Sequence, residues 1–228
     1  MNYSALLFDL DKTLFDTELN AKVALTKLPV NFEFAFTDQQ INYWHQLNNE
    51  MWEELENKQI TTEELLANRF RLYFAHYGIT TDNALYADPF EVLFAKEHAL
   101  LPHAQEVLAA LAPNYRLFVV SNGSRFKQFQ QLAGSHLTPY FEHVFLSEDI
   151  GHSKPDPLFF NAVKQTLPEV DPAEMLVIGD SLTADIRGAN LSHLDSLWLN
   201  AEHQSNHSAY QPTYEVNSLD QLPRLLNK

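Results

Sequence analysis

Short apolar runs that end abruptly at polar residues recur along the chain. The three strongest are residues 3–8, 117–120 and 175–178, which stop at Asp9, at Ser121 and at Gly179-Asp180. Unbroken runs of this length are typical of strands buried on both faces, as in a parallel sheet covered by helices. Weaker runs at residues 143–146 and 196–199 bring the prediction to about five strands. In such sheets ligands bind at the carboxyl ends of the strands, where these polar residues fall.

A segment of different character, about residues 16–96, separates the first two strong strands. Its apolar positions have helical spacing, and two capping boxes, Thr37 with Gln40 and Thr61 with Glu64, predict the starts of two helices. We expect the second helix to end near Gly78 and a third to cover residues 82–99. An insertion of about 80 residues is too long for an ordinary connection. The sequence therefore predicts a helical cap, residues 16–96, packed over a site in a core of residues 1–15 and 97–228.

Helix and strand patterns alternate after residue 96. Helices are predicted at residues 104–111, 125–132 and 182–191, and Asp156 followed by Pro157 is an N-cap and N1 pair that begins another helix. This order is that of βα units. The predicted fold class is therefore α/β, with a three-layer, Rossmann-like parallel sheet core and an inserted helical cap domain.

Composition and charge narrow the possible functions. The 228-residue chain is 45% hydrophobic and long enough to bury a substantial core and a smaller second domain. Its formal net charge of −15 repels nucleic acid and anionic membranes, so neither is an expected partner. The absence of cysteine excludes disulfides, thiolate metal sites and cysteine nucleophiles. Without a signal-like N-terminus or an apolar run of transmembrane length, we expect a soluble cytoplasmic protein, a monomer or a small homo-oligomer.

Asp9 and Asp11 form an Asp-x-Asp pair directly after the first predicted strand. Carboxylates at i and i+2 point to the same side, and without a partner the pKa of one or both would rise. A hard divalent cation such as Mg²⁺ satisfies such a pair, and Asp180, at the end of another strand, supplies a further oxygen ligand. Taken alone, the motif could equally be a solvated acidic loop.

Polar residues at the ends of other predicted strands extend this pattern. Ser121 and the backbone N–H groups that follow it can bind phosphate oxygens, and Lys154 supplies a cation. Asp185 lies one helical turn beyond Asp180. Each has a structural alternative, because Ser-Asn-Gly is an ordinary turn, Lys-Pro-Asp-Pro an ordinary start of a helix, and Asp185 an acid favoured by a helix dipole. Their joint occurrence at strand ends favours a phosphate site.

In this combination the chain resembles the haloacid dehalogenase-like superfamily, whose four motifs match here in order. They are Asp9-Leu10-Asp11-Lys12-Thr13-Leu14, then Ser121, then Lys154, and finally Gly179-Asp180-Ser181 with Ala184-Asp185. The helical insert occupies the place of that superfamily's C1 cap, so the resemblance covers nearly the whole chain. It implies a hydrolase that acts on a small phosphate monoester and uses Mg²⁺, for which Mn²⁺ could substitute.

The resemblance also implies how the acidic residues act. Asp9 would be the nucleophile that forms an aspartyl-phosphate, and Asp11 would be the general acid and base. The metal would be held by the Asp9 side chain, the Asp11 main-chain carbonyl and Asp180.

The remaining motif residues would handle the phosphate. By resemblance, Ser121, Asn122 and Lys154 bind the substrate phosphate, and charge spread over the phosphoryl oxygens in the transition state favours such donors. Thr13 would orient Asp11 or bind phosphate rather than react. Asp185 would support the site by fixing Lys154 or a metal-bound water.

Differences within the superfamily narrow the activity. Its dehalogenases lack an acid at the position of Asp11, so carbon–halogen hydrolysis is disfavoured. The chain looks most like the bacterial pyrimidine nucleoside 5′-monophosphate phosphatases, which implies a nucleotide substrate, with pyrimidines preferred. A sugar-phosphate phosphatase, a phosphomutase and a phosphonatase with a cap lysine are alternatives within the superfamily. A regulatory binding protein on the same scaffold is the alternative without enzymatic activity.

Aromatic residues are candidates for stacking on a nucleobase. Those of the cap have the helical spacing of a core, and Phe15 is a better candidate because it directly follows the first motif, near the cap hinge. Ten histidines show none of the spacings of a zinc site, so no zinc is expected.

Overall fold

The structure is a computed structural model that describes residues 3–226. Its strands are β1 Ala5–Phe8, β2 Arg116–Ser121, β3 His143–Leu146, β4 Met175–Gly179, β5 Asp195–Leu199 and β6 Tyr214–Val216. All pair in parallel in one six-stranded sheet of order β3-β2-β1-β4-β5-β6. This is the strand order of a Rossmann-like fold, and it confirms the predicted α/β class. The sequence analysis missed β6, which is too short to give a hydrophobic pattern.

The α-helices, numbered in chain order, are α1 Thr17–Thr26, α2 Asp38–Glu56, α3 Thr62–His76, α4 Ala84–Phe94, α5 Ala104–Leu111, α6 Arg125–Gly134, α7 Ser147–Ile150, α8 Pro157–Thr166, α9 Arg187–Leu191 and α10 Gln221–Leu226. A π-helical turn, Leu182–Ile186, precedes α9, so the helix predicted at residues 182–191 occurs in two parts. Across residues 3–226, no helix is at once long and apolar enough to cross a bilayer.

Alternate residues of the central strands face two different helical layers. On one face, Leu6 and Phe8 of β1 join a core cluster with α5, α6 and α10. On the other face, Ala5 and Leu7 join a cluster with α8 and α9. All four side chains are 0% exposed, as a sheet covered on both faces requires. The three layers hold the carboxyl ends of β1, β2 and β4 side by side.

Contacts between residues divide the chain into two compact units, one formed by Thr17–Glu97 and the other by the residues up to Asp16 and from His98 onward. In the helical unit, both capping boxes are present, at Thr37 with Gln40 and at Thr61 with Glu64. Gly78 directly follows Tyr77, the C-cap residue of α3, and has a φ of 73°. The helices enclose an aromatic core of Phe36, Trp44, Phe70, Tyr73, Phe74, Tyr86 and Phe90.

Residues just before and just after the helical unit pair with each other. Asp16 N donates to Ala99 O at 3.0 Å, and Leu101 N donates to Leu14 O at 2.9 Å. Because the chain must be extended to make these bonds, α4 ends at Phe94, short of the predicted residue 99. The interpretation of Phe15 as a base-stacking residue was wrong. Its side chain is 0% exposed and packs in the sheet core, which leaves no ring face for a ligand.

Candidate active site

The site begins where β1 ends and the chain turns sharply. Asp9 N donates to Ile178 O at 2.8 Å, so the sheet ladder fixes the backbone of Asp9 beside β4. Leu14 N and Phe15 N then both donate to Leu10 O at 2.9 Å and close a tight turn. Within this turn Lys12 has a φ of 60°, a left-handed conformation that costs a side-chain-bearing residue free energy. Strain of this kind is often found at functional sites.

Lys154 is the buried cation at the centre of the site, and it is only 2% exposed. Its Nζ donates to Asp9 Oδ1 at 2.7 Å, to Asp185 Oδ1 at 2.7 Å and to Val120 O at 2.8 Å. Burial alone would lower the pKa of Lys154, but the facing carboxylates of Asp185 and Asp9 raise it above its ordinary value. The ammonium group is therefore a permanent positive charge with a fixed position beside Asp9.

Asn122 holds the main chain of Lys154 rather than facing outward. Its Nδ2 donates to Lys154 O at 2.8 Å, and its Oδ1 accepts from Lys154 N at 2.8 Å. Both polar ends of the amide are thus engaged. The side chain of Asn122 therefore positions Lys154. The phosphate-binding role expected of Asn122 would fall to its backbone N–H group, and it stays a prediction.

A wide helical turn places Asp185 under the end of β4. Ile186 N donates to Ser181 O at 3.1 Å, an i to i−5 bond that opens the π-helical turn. Such turns occur frequently at functional sites. Asp185 is 1% exposed, and its Oδ2 accepts from Ser181 N at 3.1 Å while Oδ1 faces Lys154. The two oxygens of Asp185 therefore bridge the turn after β4 and the buried lysine.

Asp180, the last acidic residue at this edge, has its own supports. Trp198 Nε1 donates to Asp180 O at 2.8 Å, and Thr13 Oγ1 donates to Asp180 Oδ1 at 3.3 Å. The expectation that Thr13 orients Asp11 or binds phosphate stays a prediction, and the structure shows a different contact. The Thr13 side chain is 0% exposed and its hydroxyl is directed at Asp180, so it orients this carboxylate.

Asp9, Asp180 and Asp185 form an acidic cluster in which one carboxylate oxygen from each lies within 4.8 Å of the others. Burial raises the pKa of Asp9 to about 7; Lys154 opposes this rise, while Asp185 and Asp11 add to it. Burial and the charges of Asp9 and Asp185 also raise the pKa of Asp180 well above its ordinary value. Of these three acids, Lys154 bonds to Asp9 and Asp185 only, and the charges of Lys12 and Lys154 offset part of the rise in the pKa of Asp180. Oxygen ligands with excess negative charge suit a hard divalent cation, so these residues fit Mg²⁺.

Ser121 lies at the end of β2 and is 1% exposed. Its Oγ accepts from Gly123 N at 3.0 Å and from Gln128 Nε2 at 2.9 Å. Two accepted bonds orient the hydroxyl and leave its own hydrogen to donate. A phosphate oxygen at this edge of the sheet is a suitable acceptor for this hydrogen and for hydrogen bonds donated by backbone N–H groups.

Asp11 is paired with a lysine of α6. Lys127 Nζ lies 2.5 Å from Asp11 Oδ1 and 2.6 Å from Oδ2, and Gln128 Nε2 donates to Oδ2 at 2.6 Å. The sequence analysis predicts that a divalent cation such as Mg²⁺ satisfies the Asp-x-Asp pair, and this stays a prediction. In the structure each acid also lies beside a lysine, Lys154 for Asp9 and Lys127 for Asp11.

Sequence reasoning missed Lys127 and Gln128. A signal was available, because α6 is amphipathic and these two polar residues occupy positions on its buried face, beside Leu132. A buried lysine on a short helix at the carboxyl edge of a sheet implies an acidic partner. The partner is Asp11, which the pattern of α6 alone could not identify.

Comparisons with known proteins agree with the fold and the motif order. A profile of the haloacid dehalogenase-like hydrolases matches residues 3–193. The chain is 38% identical to the pyrimidine 5′-nucleotidase PynA of Streptococcus pneumoniae, over 100% of this chain and 97% of PynA. It is 27% identical to the pyrimidine 5′-nucleotidase YjjG of Escherichia coli over 100% of both chains.

A solved structure matches over the whole chain as well. The magnesium-bound crystal structure of YfnB from Bacillus subtilis has a TM-score of 0.92 at 32% identity, with 100% of both chains covered. The profile match includes every motif residue from Asp9 to Asp185. From the parallel sheet, the motif residues at its carboxyl edge and these matches, we conclude that the chain belongs to the haloacid dehalogenase-like hydrolase family.

Proposed function

We propose that the protein is a Mg²⁺-dependent phosphomonoesterase that hydrolyses nucleoside 5′-monophosphates, with pyrimidines preferred, through an aspartyl-phosphate on Asp9. One observation carries the proposal: Lys154 Nζ bridges Asp9 and Asp185 at 2.7 Å each, buried at the carboxyl edge of the sheet. A carboxylate held beside a fixed cation is suited to attack a phosphoryl group, because the cation orients the nucleophile and offsets the charge of the anionic substrate.

In the first step, an Asp9 carboxylate oxygen attacks phosphorus and the bond from phosphorus to the nucleoside oxygen breaks. Lys154 holds the position of Asp9 and stabilises the negative charge that spreads over the phosphoryl oxygens. The Ser121 hydroxyl donates to one of these oxygens. Mg²⁺ held by Asp9, Asp180 and the Asp11 main-chain carbonyl would neutralise part of the phosphate charge.

Asp11 moves protons in both steps. It donates a proton to the departing nucleoside oxygen, and it then accepts a proton from the water that attacks phosphorus in the aspartyl-phosphate. That attack releases inorganic phosphate and restores the Asp9 carboxylate. The Asp11 side chain keeps 28% of its surface exposed, which suits a group that must exchange protons with the substrate and water.

The substrate class is inferred from relatives that align over nearly their whole length. Both PynA and YjjG are pyrimidine 5′-nucleotidases, and the alignments include the helical insertion as well as the core. The chemistry at the sheet edge recognises only the phosphoryl group, so these alignments, rather than the site geometry, support the choice of nucleotide over sugar phosphate.

Phosphate release from a panel of esters tests the proposal. The panel contains uridine, thymidine and adenosine 5′-monophosphates, several sugar phosphates and p-nitrophenyl phosphate, each with Mg²⁺ and with EDTA. We expect release only with Mg²⁺, fastest for pyrimidine nucleotides, and none from the Asp9→Asn variant. Equal rates for sugar phosphates and nucleotides would refute the nucleotide preference. Conversion of a sugar 1-phosphate into its 6-phosphate would identify a mutase, and no release from any ester would refute the enzymatic assignment.

A further inference from the structure

Two neighbouring side chains of α6 bind the Asp11 carboxylate. Lys127 contacts both carboxylate oxygens and Gln128 donates to one of them, so three short contacts fall on a single acid. Lys127 is 7% exposed and Gln128 is 0% exposed. The partners of Asp11 on this side are therefore buried, whereas part of the carboxylate itself stays accessible.

The backbone before α6 is arranged so that Lys127 and Gln128 can reach Asp11. Ser124 is the N-cap of the helix, and its Oγ accepts from Lys127 N at 3.3 Å. Residue 123 is glycine, and a Cβ at that position would overlap the Gln128 amide nitrogen. Ser121 Oγ accepts a second bond from the same nitrogen. Gln128 is thus fixed between the end of β2 and Asp11, and the missing side chain at Gly123 makes the room for it.

The burial of Lys127 is costly unless the charge is paired. Taking an ammonium group out of water carries a large free-energy penalty, and only a close and well-oriented acid compensates for it. A leucine at this position would pack with less cost on the buried face of an amphipathic helix. A lysine at this position, ion-paired with Asp11, therefore indicates a role in the orientation of the Asp11 carboxylate.

We propose that Lys127, assisted by Gln128, is a positioning residue that fixes the Asp11 carboxylate for proton transfer. The inference rests on the proposed function, because it concerns the residue that exchanges protons with the leaving group and water. An aspartate side chain has two rotatable torsions, and contacts to both oxygens select one orientation. Because the carboxylate is already in that orientation, it does not have to rotate among other conformers before each proton transfer.

The test measures kcat and KM of Lys127→Met and Gln128→Met on uridine 5′-monophosphate and on p-nitrophenyl phosphate. For Lys127→Met we expect kcat on the nucleotide to fall about ten- to a hundredfold, with KM within about threefold of the parent. The loss on the aryl ester should be smaller in a single-turnover measurement of phosphorylation, because its leaving group needs little protonation. Gln128→Met should show the same pattern more weakly.

Two control variants separate positioning from structure. Lys127→Arg keeps the charge and the reach, and it should recover most of the lost kcat. Lys164→Met removes a partly buried lysine of α8 whose Nζ donates to Ser192 O at 3.2 Å, and it should leave both rates unchanged. Thermal unfolding of each variant shows whether the fold is retained, so a lost rate in a folded protein is assigned to the site.

Combination with Asp11→Asn gives the decisive comparison. If Lys127 acts through Asp11, Lys127→Met should change kcat by less than about twofold in the Asp11→Asn background. If the losses of kcat caused by the two substitutions multiply in the double variant, the inference is overturned. An equal loss of kcat on both esters, or a rise in KM without a loss of kcat, would also overturn it. Either of these last two results would make Lys127 a phosphate ligand. The proposed function is tested separately, by phosphate release from the parent protein that is lost in Asp9→Asn. The positioning role of Lys127 and the proposed function can therefore fail independently.

Discussion

Residue 179 is glycine because the carboxylate of Asp185 fills the space that a side chain would need. A Cβ at this position would overlap Oδ2 and Cγ of Asp185. The same Asp185 is 1% exposed and accepts from Lys154 Nζ at 2.7 Å. The close approach of the end of β4 to Asp185 thus belongs to the arrangement that holds the buried lysine beside Asp9.

Replacement of this glycine should therefore damage the site as well as the fold. Gly179→Ala has to displace Asp185, and we expect a loss of about 1–3 kcal/mol in the free energy of unfolding, as for other overpacked positions. We also expect at least about a tenfold lower kcat, because Lys154 loses a partner that fixes it. Urea unfolding and steady-state kinetics with Mg²⁺ check both. The matched control is Gly151→Ala, which has a φ of 80° and no neighbour within 4 Å; it should lose stability through backbone strain and keep its kcat.

Removal of a cation and removal of an acid from the same site should shift stability in opposite directions. In the presence of EDTA, Lys154→Met leaves Asp9 and Asp185 without the cation that they share and should cost about 3–5 kcal/mol. Asp180→Asn removes one of three mutually repelling acids and should raise the free energy of unfolding by about 1 kcal/mol. Destabilisation by Asp180→Asn equal to that of Lys154→Met would show that the cluster is not strained by its own charge.

The stabilising effect of Mg²⁺ should grow with pH. The folded-state pKa values of Asp9, about 7, and of Asp180 are raised, so the folded chain binds more protons than the unfolded chain between about pH 4 and the raised values. The stability of the chain in EDTA should consequently fall as pH rises through that window. Mg²⁺ binds the ionised acids, so the rise in Tm that it causes should be larger near pH 8 than near about pH 5.5. Differential scanning calorimetry measures this rise. A rise that is independent of pH would contradict ionisation of these carboxylates on metal binding.

The left-handed residue in the first motif should carry a measurable strain. Lys12→Gly and Lys12→Ala both remove the amine, and they differ only in the Cβ that makes a φ of 60° unfavourable. We expect the glycine variant to be the more stable of the two by about 1 kcal/mol in urea unfolding. An alanine variant as stable as the glycine variant would show that the turn relaxes at no cost.

Much of the fold could be predicted because its signals are local. The strand at residues 143–146 and the helix at residues 104–111 were predicted with the bounds that the structure has. The capping boxes at Thr37 and Thr61 also depend on residues only three positions apart. The end of α4 was wrong because it is set by a pairing with residues 14–16, which lie far away in sequence.

The residues that form the candidate site were easier to predict than the contacts between them. The sequence indicated which strand ends carry reactive groups, but the partners of Thr13 and Asn122 depend on which side of each turn the side chain takes. The contact between Asp11 and Lys127 joins residues 116 positions apart and has no pattern of its own in the sequence. Long-range contacts of this kind follow from packing of α6 against the turn after β1.

Direct detection of a phosphorylated Asp9 tests the central claim most directly. Asp11→Asn should slow the attack of water on the aspartyl-phosphate, so this variant is mixed with p-nitrophenyl phosphate and Mg²⁺, quenched in acid within one turnover, digested and analysed by mass spectrometry. The account predicts one phosphoryl group on the peptide that contains Asp9, lost on treatment with hydroxylamine and absent when Asp9→Asn is added to the variant. Release of p-nitrophenol without any phosphorylated peptide, or with the phosphoryl group on another residue, would contradict it.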